Sequence, residues 1–243
     1  MTMRSDGRRP DQLRPVSVQM GFLDTAEGSC WIEFGKTKVL CSASFQDTVP
    51  NWLGSSEGGW VTAEYAMLPK SSKTRIPRES SRPRGRTAEI QRLIGRSLRA
   101  IVDTKGLGPR TVTIDCDVIQ ADGGTRTAAV TGGFLAFWEA CRLMASAGAL
   151  PSWPIREKIA AISVGRSGGV DLLDLCYGED STADVDMNVV MTESGRFVEI
   201  QGTAESRPFS RLELDSLLAL AEGGLQELFR IEDRVLAEMP PPN

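Results

Sequence analysis

The sequence predicts an α+β fold in which mixed sheets pack with helices, and three observations carry that expectation. Thr111–Ile119 alternates apolar Val112, Ile114, Cys116 and Val118 with polar Thr111, Thr113, Asp115 and Asp117, the period of a strand with one wet face. Thr87–Val102 places Ile90, Leu93, Ile94, Ile101 and Val102 on one helical face, with Arg92, Arg96 and Arg99 largely on another. Strands and helices alternate along the chain, yet without the regular order of a doubly wound sheet.

The elements follow in order. Met1–Arg8 reads as a loose tail. Gly28–Phe34 and Thr37–Phe45 read as strands joined through Gly35 and Lys36, a hairpin signal. Pro50–Gly59 is a loop rich in Gly and Ser, and Trp60–Met67 a further strand. Pro69–Gly85 has little apolar content and reads as a mobile basic loop. Gly106–Pro109 ends the following helix and leads into the strand at Thr111. Ala128–Ala147 is rich in Ala, Leu and Phe and is expected to be helical. Lys158–Val164 and Val170–Cys176 form a strand pair turning at Gly168 and Gly169. Val185–Thr192 and Phe197–Gln201 form another around Ser194 and Gly195. Ser210 and Glu213 spell a capping box for a long helix over Leu212–Met239, softened at Gly223 and Gly224. No internal repeat and no linker stands out, so 1–243 is read as one domain, frayed over Pro240–Asn243.

Composition removes several chemistries. The chain has 243 residues and is 41% hydrophobic, enough for one large domain or two fused halves. No apolar run approaches a membrane span, and the N-terminus lacks a hydrophobic signal segment. The five cysteines, Cys30, Cys41, Cys116, Cys141 and Cys176, are scattered without a C-x-x-C pair, which reads as reduced core thiols in a cytoplasmic protein. There is no histidine, which excludes His-based triads, imidazole bases and His-ligated zinc. A metal, if one is used, should be a hard ion held by carboxylates, such as magnesium or manganese.

Charge is unevenly spread. Lys70–Arg99 carries ten basic residues against Glu79 and Glu89, a net +8 in a chain whose total is −4. A basic stripe on an acidic body is the footprint of a polyanionic partner. Lys73, Arg75, Arg78, Arg82, Arg84, Arg92, Arg96 and Arg99 could track nucleic-acid phosphates; the plainer use, which does not exclude the first, is to salt-bridge a subunit interface.

Two stretches carry candidate chemistry. In Asp122–Gly133 a strand ends, Gly123 and Gly124 turn the chain, and a helix begins at Thr125 or Arg126. Free helix-start amides, a positive helix dipole, the Thr125 hydroxyl and the Arg126 guanidinium together suit an anion such as phosphate. The same spacing is also that of a plain strand-to-helix turn capped by Thr125. In the second stretch Glu179, Asp180, Asp184 and Asp186 crowd between two strands, where Asp180 and Asp186 could share a divalent cation. Acidic turns are more often simply solvated.

The residues of the first stretch, Asp122–Thr131, resemble the phosphate loop of the ribonuclease PH family, phosphate-dependent exoribonucleases that trim tRNA precursor 3′ ends. Further segments match that family in the same order. They are Arg9–Val16, Gly35–Cys41, Trp60–Tyr65, Gly85–Leu93, Glu179–Ser181, Asp186–Thr192 and Ile200–Glu205, so the resemblance spans nearly the whole chain. It implies a βαβα fold of the ribosomal protein S5 domain 2 type and a hexameric ring, a trimer of dimers. It implies phosphate binding at Arg86, Gly124, Thr125 and Arg126, and a catalytic, metal-associated pair at Asp180 and Asp186. It implies tRNA nucleotidyltransferase activity with inorganic phosphate as co-substrate and Mg²⁺, or Mn²⁺, as cofactor. Asp184 matches a position that varies, and no role is carried to it. Ser80–Arg86 looks shorter than the family's loop and carries Pro83, and Ser206 stands where glycine is common. Other classes make different demands on the sequence. A non-catalytic RNA-binding ring subunit of an exosome-like assembly would not need Arg86, Arg126, Asp180 and Asp186 together. Polyribonucleotide phosphorylase would need two such cores. A small-molecule kinase would need a nucleotide phosphate loop, whose usual Gly-Lys-[Ser/Thr] ending Thr125 and Arg126 do not supply.

Overall fold

A computed structural model describes residues 4–54, 58–78 and 85–242. Its nine named strands form two sheets. The first runs β1 (Val16–Met20), β2 (Gly28–Phe34), β3 (Thr37–Gln46), β5 (Thr111–Gln120), β4 (Trp60–Met67) in spatial order. The second runs β7 (Val170–Leu173), β6 (Ile159–Ser167), β8 (Val185–Thr192), β9 (Phe197–Ala204) and is antiparallel throughout. In the first sheet only β4 and β5 are parallel, because α1 (Gly85–Ala100) and the short α2 (Thr104–Leu107) carry the chain between them. With α3 (Thr125–Ser146) following β5, this makes a βαβα run inside a mixed α+β fold. The remaining helices are α4 (Tyr177–Asp180) and α5 (Arg211–Leu236).

The helix α3 lies between the sheets, touching β2, β3 and β5 on one side and β6 and β8 on the other. Its residues are buried almost all round, which is why it lacks the apolar stripe of a surface helix. Small residues let the first sheet come close. A side chain at Gly132 would put its Cβ 2.7 Å from Ile32 Cγ2 and 2.9 Å from Cys41 Sγ. On the other side the Thr131 hydroxyl accepts from the backbone N–H of Ala161, at 3.1 Å, satisfying a donor on β6. One hydrophobic core thereby runs through both sheets.

Most expected elements are present, and the differences have local causes. The strand β1 was not anticipated. It has five residues with only a half-buried alternation, and it is an edge strand held by β2 alone. Residues 4–8 are not a loose tail, since Arg4 and Arg8 are each 7% exposed and bonded to the body of the protein. The strand expected over Val170–Cys176 stops at Leu173, because Asp174 turns left-handed at φ 53° and Cys176 becomes the cap of α4. The helix α5 begins with the expected box, in which Ser210 Oγ accepts from the Glu213 N–H and Glu213 accepts from the Ser210 N–H. It does not soften at its glycine pair. Gly224 is buried with Leu173 Cδ1 2.6 Å from where a Cβ would stand, so the glycine serves close packing.

One core group opposes the fold. Glu232 on α5 is 1% exposed and neither carboxyl oxygen has a hydrogen-bond partner. Burial pushes its pKa well up; Lys158 pulls it down, while Glu193 and Asp233 push it further. The folded state therefore holds this proton more tightly than the unfolded chain. The penalty is absent below the unfolded pKa, near 4.3, and grows above it by about 1.4 kcal/mol per pH unit until the folded group ionises. Glu232→Gln should accordingly leave stability unchanged at pH 4 and raise it as the pH climbs above 5, as read by urea denaturation at each pH.

Candidate active site

The turn after β5 is shaped by two glycines in left-handed geometry, Gly123 at φ 76° and Gly124 at φ 65°. Gly123 also permits contact, since a Cβ there would sit 2.4 Å from the Leu175 carbonyl oxygen and 2.9 Å from the Tyr177 nitrogen. The glycine turn thus lies against the segment that opens α4, and so brings the first sheet's loop to the second sheet's acidic turn. Thr37 Oγ1 fastens it from β3, donating to the Gly123 carbonyl at 2.6 Å and accepting from the Asp122 N–H at 2.9 Å.

Arg14 completes the junction. It is 4% exposed and bonds Asp174 through Nε at 2.9 Å and Nη2 at 2.6 Å, while its backbone N–H donates to the same carboxylate. Its Nη1 donates to the Asp122 carbonyl at 2.6 Å. Asp174 is fully buried, and Arg8 lies 3.6 Å from it. Arg4 reaches the same turn, donating to Leu173 O, Asp174 O and both oxygens of Glu179. Arg14 lies in the Arg9–Val16 segment, but its partner could not be read from sequence because the two are 160 residues apart.

The helix α3 starts at Thr125 with Gly124 as its N-cap, and the first intrahelical bond is from Ala128 N to Gly124 O at 3.0 Å. The amides of Thr125, Arg126 and Thr127 precede that bond and lack helical acceptors. Arg126 is mostly buried, and its Nε has no hydrogen-bond partner among the described residues. Its nearest carboxylate among the described residues, Glu89, is loosely placed at 3.9 Å and is itself held by Gln201 at 2.5 Å. Arg86, exposed on the first turn of α1, acts electrostatically on the same groups as Arg126, namely Tyr65, Asp180 and Asp186. The structure therefore brings Arg86, Gly124, Thr125, Arg126, Asp180 and Asp186 into one locality.

Both carboxyls are shifted upward, chiefly by burial. Burial raises the pKa of Asp180, against the pull of Arg86 and Arg126. Asp186 is pushed up to about 6, first by burial and then by the charge of Asp180, with Arg126 opposing and Glu205 adding to the rise. Glu205, in the Ile200–Glu205 segment, is a third acidic neighbour that sequence reasoning assigned no role. The pair suits a divalent cation chemically, because two crowded, partly dehydrated carboxylates gain most from a nearby positive charge. No cluster of three or more metal-binding side chains occurs among the described residues, so such an ion would rely on this pair, water and substrate oxygens. Asp184 stands apart, accepting from Ser206 Oγ at 2.8 Å and from the Gly168 N–H at 3.2 Å. That bond gives Ser206, where glycine is common, a structural use.

The basic stripe divides. Lys73, Arg75, Arg78 and Arg92 are exposed, whereas Arg82 and Arg84 lie outside the described residues. Arg96 is exposed but ion-paired to Glu199 at 2.7 Å. Arg99, expected to face RNA, is half-buried. It donates to the Val61 carbonyl at 2.6 Å and lies over the Trp60 ring at 4.3 Å, which makes it a packing residue joining α1 to β4. The free part of the stripe is therefore smaller than composition suggests.

Two family models match the chain, both described as the 3′ exoribonuclease family. The first, domain 1 of RNase PH, covers residues 12–141, and the second, domain 2, covers residues 158–224. Solved structures of similar fold include an Archaeoglobus fulgidus exosome with RNA bound to the active site. It is 21% identical with a TM-score of 0.79, over 93% of this chain and 91% of that one. Rice Rrp46 is 21% identical with a TM-score of 0.72, over 95% and 97% respectively. An archaeal exosome core is 19% identical with a TM-score of 0.74, over 94% and 91%.

Breaking the buried junction should be costly. Arg14→Met removes the nearer cation from a buried carboxylate that Arg8 reaches only at 3.6 Å, and should lose about 3–5 kcal/mol in urea denaturation. Adding Asp174→Asn, which tolerates the left-handed backbone, should recover part of that loss. A loss below about 1 kcal/mol for Arg14→Met would show the pair to be incidental.

Proposed function

Because the chain belongs to the RNase PH 3′ exoribonuclease family, we propose that it is an active phosphorolytic 3′→5′ exoribonuclease and tRNA nucleotidyltransferase. The observation that carries this is the convergence of Arg86 and Arg126 with Asp180 and Asp186 across a helix N-terminus whose first amides and Arg126 Nε have no hydrogen-bond partner among the described residues. An RNA-binding ring subunit without activity would have no use for these two guanidiniums near two carboxylates.

In this reading the Thr125–Thr127 amides, the Thr125 hydroxyl and the two guanidiniums hold inorganic phosphate. Phosphate is already an oxygen nucleophile at neutral pH, so the lack of histidine is no handicap. One of its oxygens attacks the phosphorus of the last phosphodiester of an RNA 3′ end. The bond to the preceding 3′ oxygen breaks, that oxygen takes up a proton, and a nucleoside diphosphate leaves. The reverse reaction adds a nucleotide and releases phosphate. The protein's part is to bring two polyanions together and offset their charge. Asp180 and Asp186 would hold Mg²⁺ or Mn²⁺, which when bound supplies positive charge to the scissile phosphate. Exposed Lys73, Arg75, Arg78 and Arg92 guide the RNA toward the site. The assembly is a homohexamer, a trimer of dimers, and the substrates are tRNA precursors and other RNA 3′ ends in the cytoplasm. The fold likeness to an exosome holding RNA in its active site is consistent with such a path. No helix among the described residues is long and apolar enough to cross a membrane.

A short RNA incubated with Mg²⁺ should release nucleoside diphosphates only when phosphate is added; release of monophosphates, or no release, would reject the proposal. Arg126→Ala should slow turnover at saturating phosphate by about 10²-fold or more, the scale for one preorganised donor. Asp186→Asn should abolish turnover while keeping the wild-type circular dichroism. Affinity for RNA should fall steeply with salt, and replacing Arg92 by Ala should reduce the log–log slope by about one.

A further inference from the structure

We propose that Tyr65 is a positioning residue of the phosphate site, its phenol fixing the Thr125 hydroxyl so that the threonine hydrogen is turned toward the bound oxyanion. This rests on the reading of Gly124–Arg126 as the phosphate cradle and adds a residue that does not itself touch phosphate.

Tyr65 stands near the end of β4, on the face that buries Val61 and Ala63, and is 3% exposed. It lies opposite Cys116 on β5, the strand that runs on into the glycine turn. Among the described residues its hydroxyl has one hydrogen-bond partner, Thr125 Oγ1 at 2.9 Å, and Thr125 is itself 7% exposed. A hydroxyl has a single hydrogen and accepts through lone pairs, so the direction of this bond determines what remains free. A phenol, with a pKa of about 10, is a better donor than an aliphatic alcohol. Were Thr125 the donor, the phenolic hydrogen would have no acceptor among the described residues, an unmade bond on a group only 3% exposed. Tyr65 therefore donates and Thr125 accepts. No other hydrogen-bonded partner of Thr125 Oγ1 occurs among the described residues, so its hydrogen remains available at the first residue of α3. Burial keeps the phenol neutral, against the Thr125 bond and the nearby charges of Arg86 and Arg126. A phenylalanine would fill the same core volume, so the hydroxyl is the part of the residue that the site uses.

The test separates this role from the cradle itself. Tyr65→Phe should raise the KM for phosphate about tenfold, the effect of one misdirected hydrogen bond, while leaving the KM for RNA unchanged. In a Thr125→Val background the same change should add nothing, whereas in Thr125→Ser it should keep its full effect. An unchanged phosphate KM, an equal rise in both KM values, or full additivity with Thr125→Val would overturn the proposal. Thermal melting with and without inorganic phosphate gives a readout independent of turnover. Tyr65→Phe should gain less stabilisation from phosphate than the wild type, and an equal gain would reject the Tyr65 role alone. A wild type that gains none would reject the cradle, and this inference with it.

Discussion

Arg14 and Asp174 meet where water is excluded, and their geometry decides where two distant parts of the chain come to rest. The guanidinium faces the carboxylate through two nitrogens and spends a third contact on the Asp122 carbonyl. Such a pair gains little net stability over apolar packing, because dehydrating both charges is expensive. Its value is directional. The same guanidinium thus ties the segment before β1 to the glycine turn and to the loop after β7, and the start of α3 comes to lie beside α4. The site's cations then come from the first sheet's half of the chain and its carboxylates from the second.

That division explains the electrostatics. Neither half would hold its charges comfortably by itself. Asp180 and Asp186 repel one another and are raised by burial, while Arg126 keeps an unpartnered nitrogen. Brought together they compensate in part, since the guanidiniums pull both carboxyls down. The proposed phosphate and divalent ion would complete that compensation, and the proposed reaction calls for no imidazole.

Much of this was legible before any coordinates. The two-residue alternation marked β5, the capping box marked α5, and the glycine pair marked the start of α3, because each is a local rule obeyed by adjacent residues. Tertiary matters were not legible. The strand β1 is too short to announce itself and exists because β2 offers it an edge. Asp174 looks like part of a strand until Arg14 demands its carboxylate. Arg99 reads as a nucleic-acid contact by helical spacing, yet Trp60 and the Val61 carbonyl claim it from a neighbouring strand. Tyr65 reads as an inward strand residue; that its hydroxyl meets Thr125 follows only from the parallel pairing of β4 with β5. The site residues themselves were suggested by a family resemblance, and the spacing of Asp122–Gly133 alone would have fitted a plain turn as well.

The arginines near the N-terminus have a consequence for how the molecule is made. Arg4 and Glu179 are 175 residues apart, so on the ribosome the first residues emerge long before their partners do. Until then they are solvated cations on a nascent chain, and the first sheet can form without them. Only after the loop beyond β7 has been synthesised can the clasp close and α4 take its place. The acidic half of the site can be completed only after that, and an incomplete chain presents its basic helix start with Glu89 but without Asp180 and Asp186.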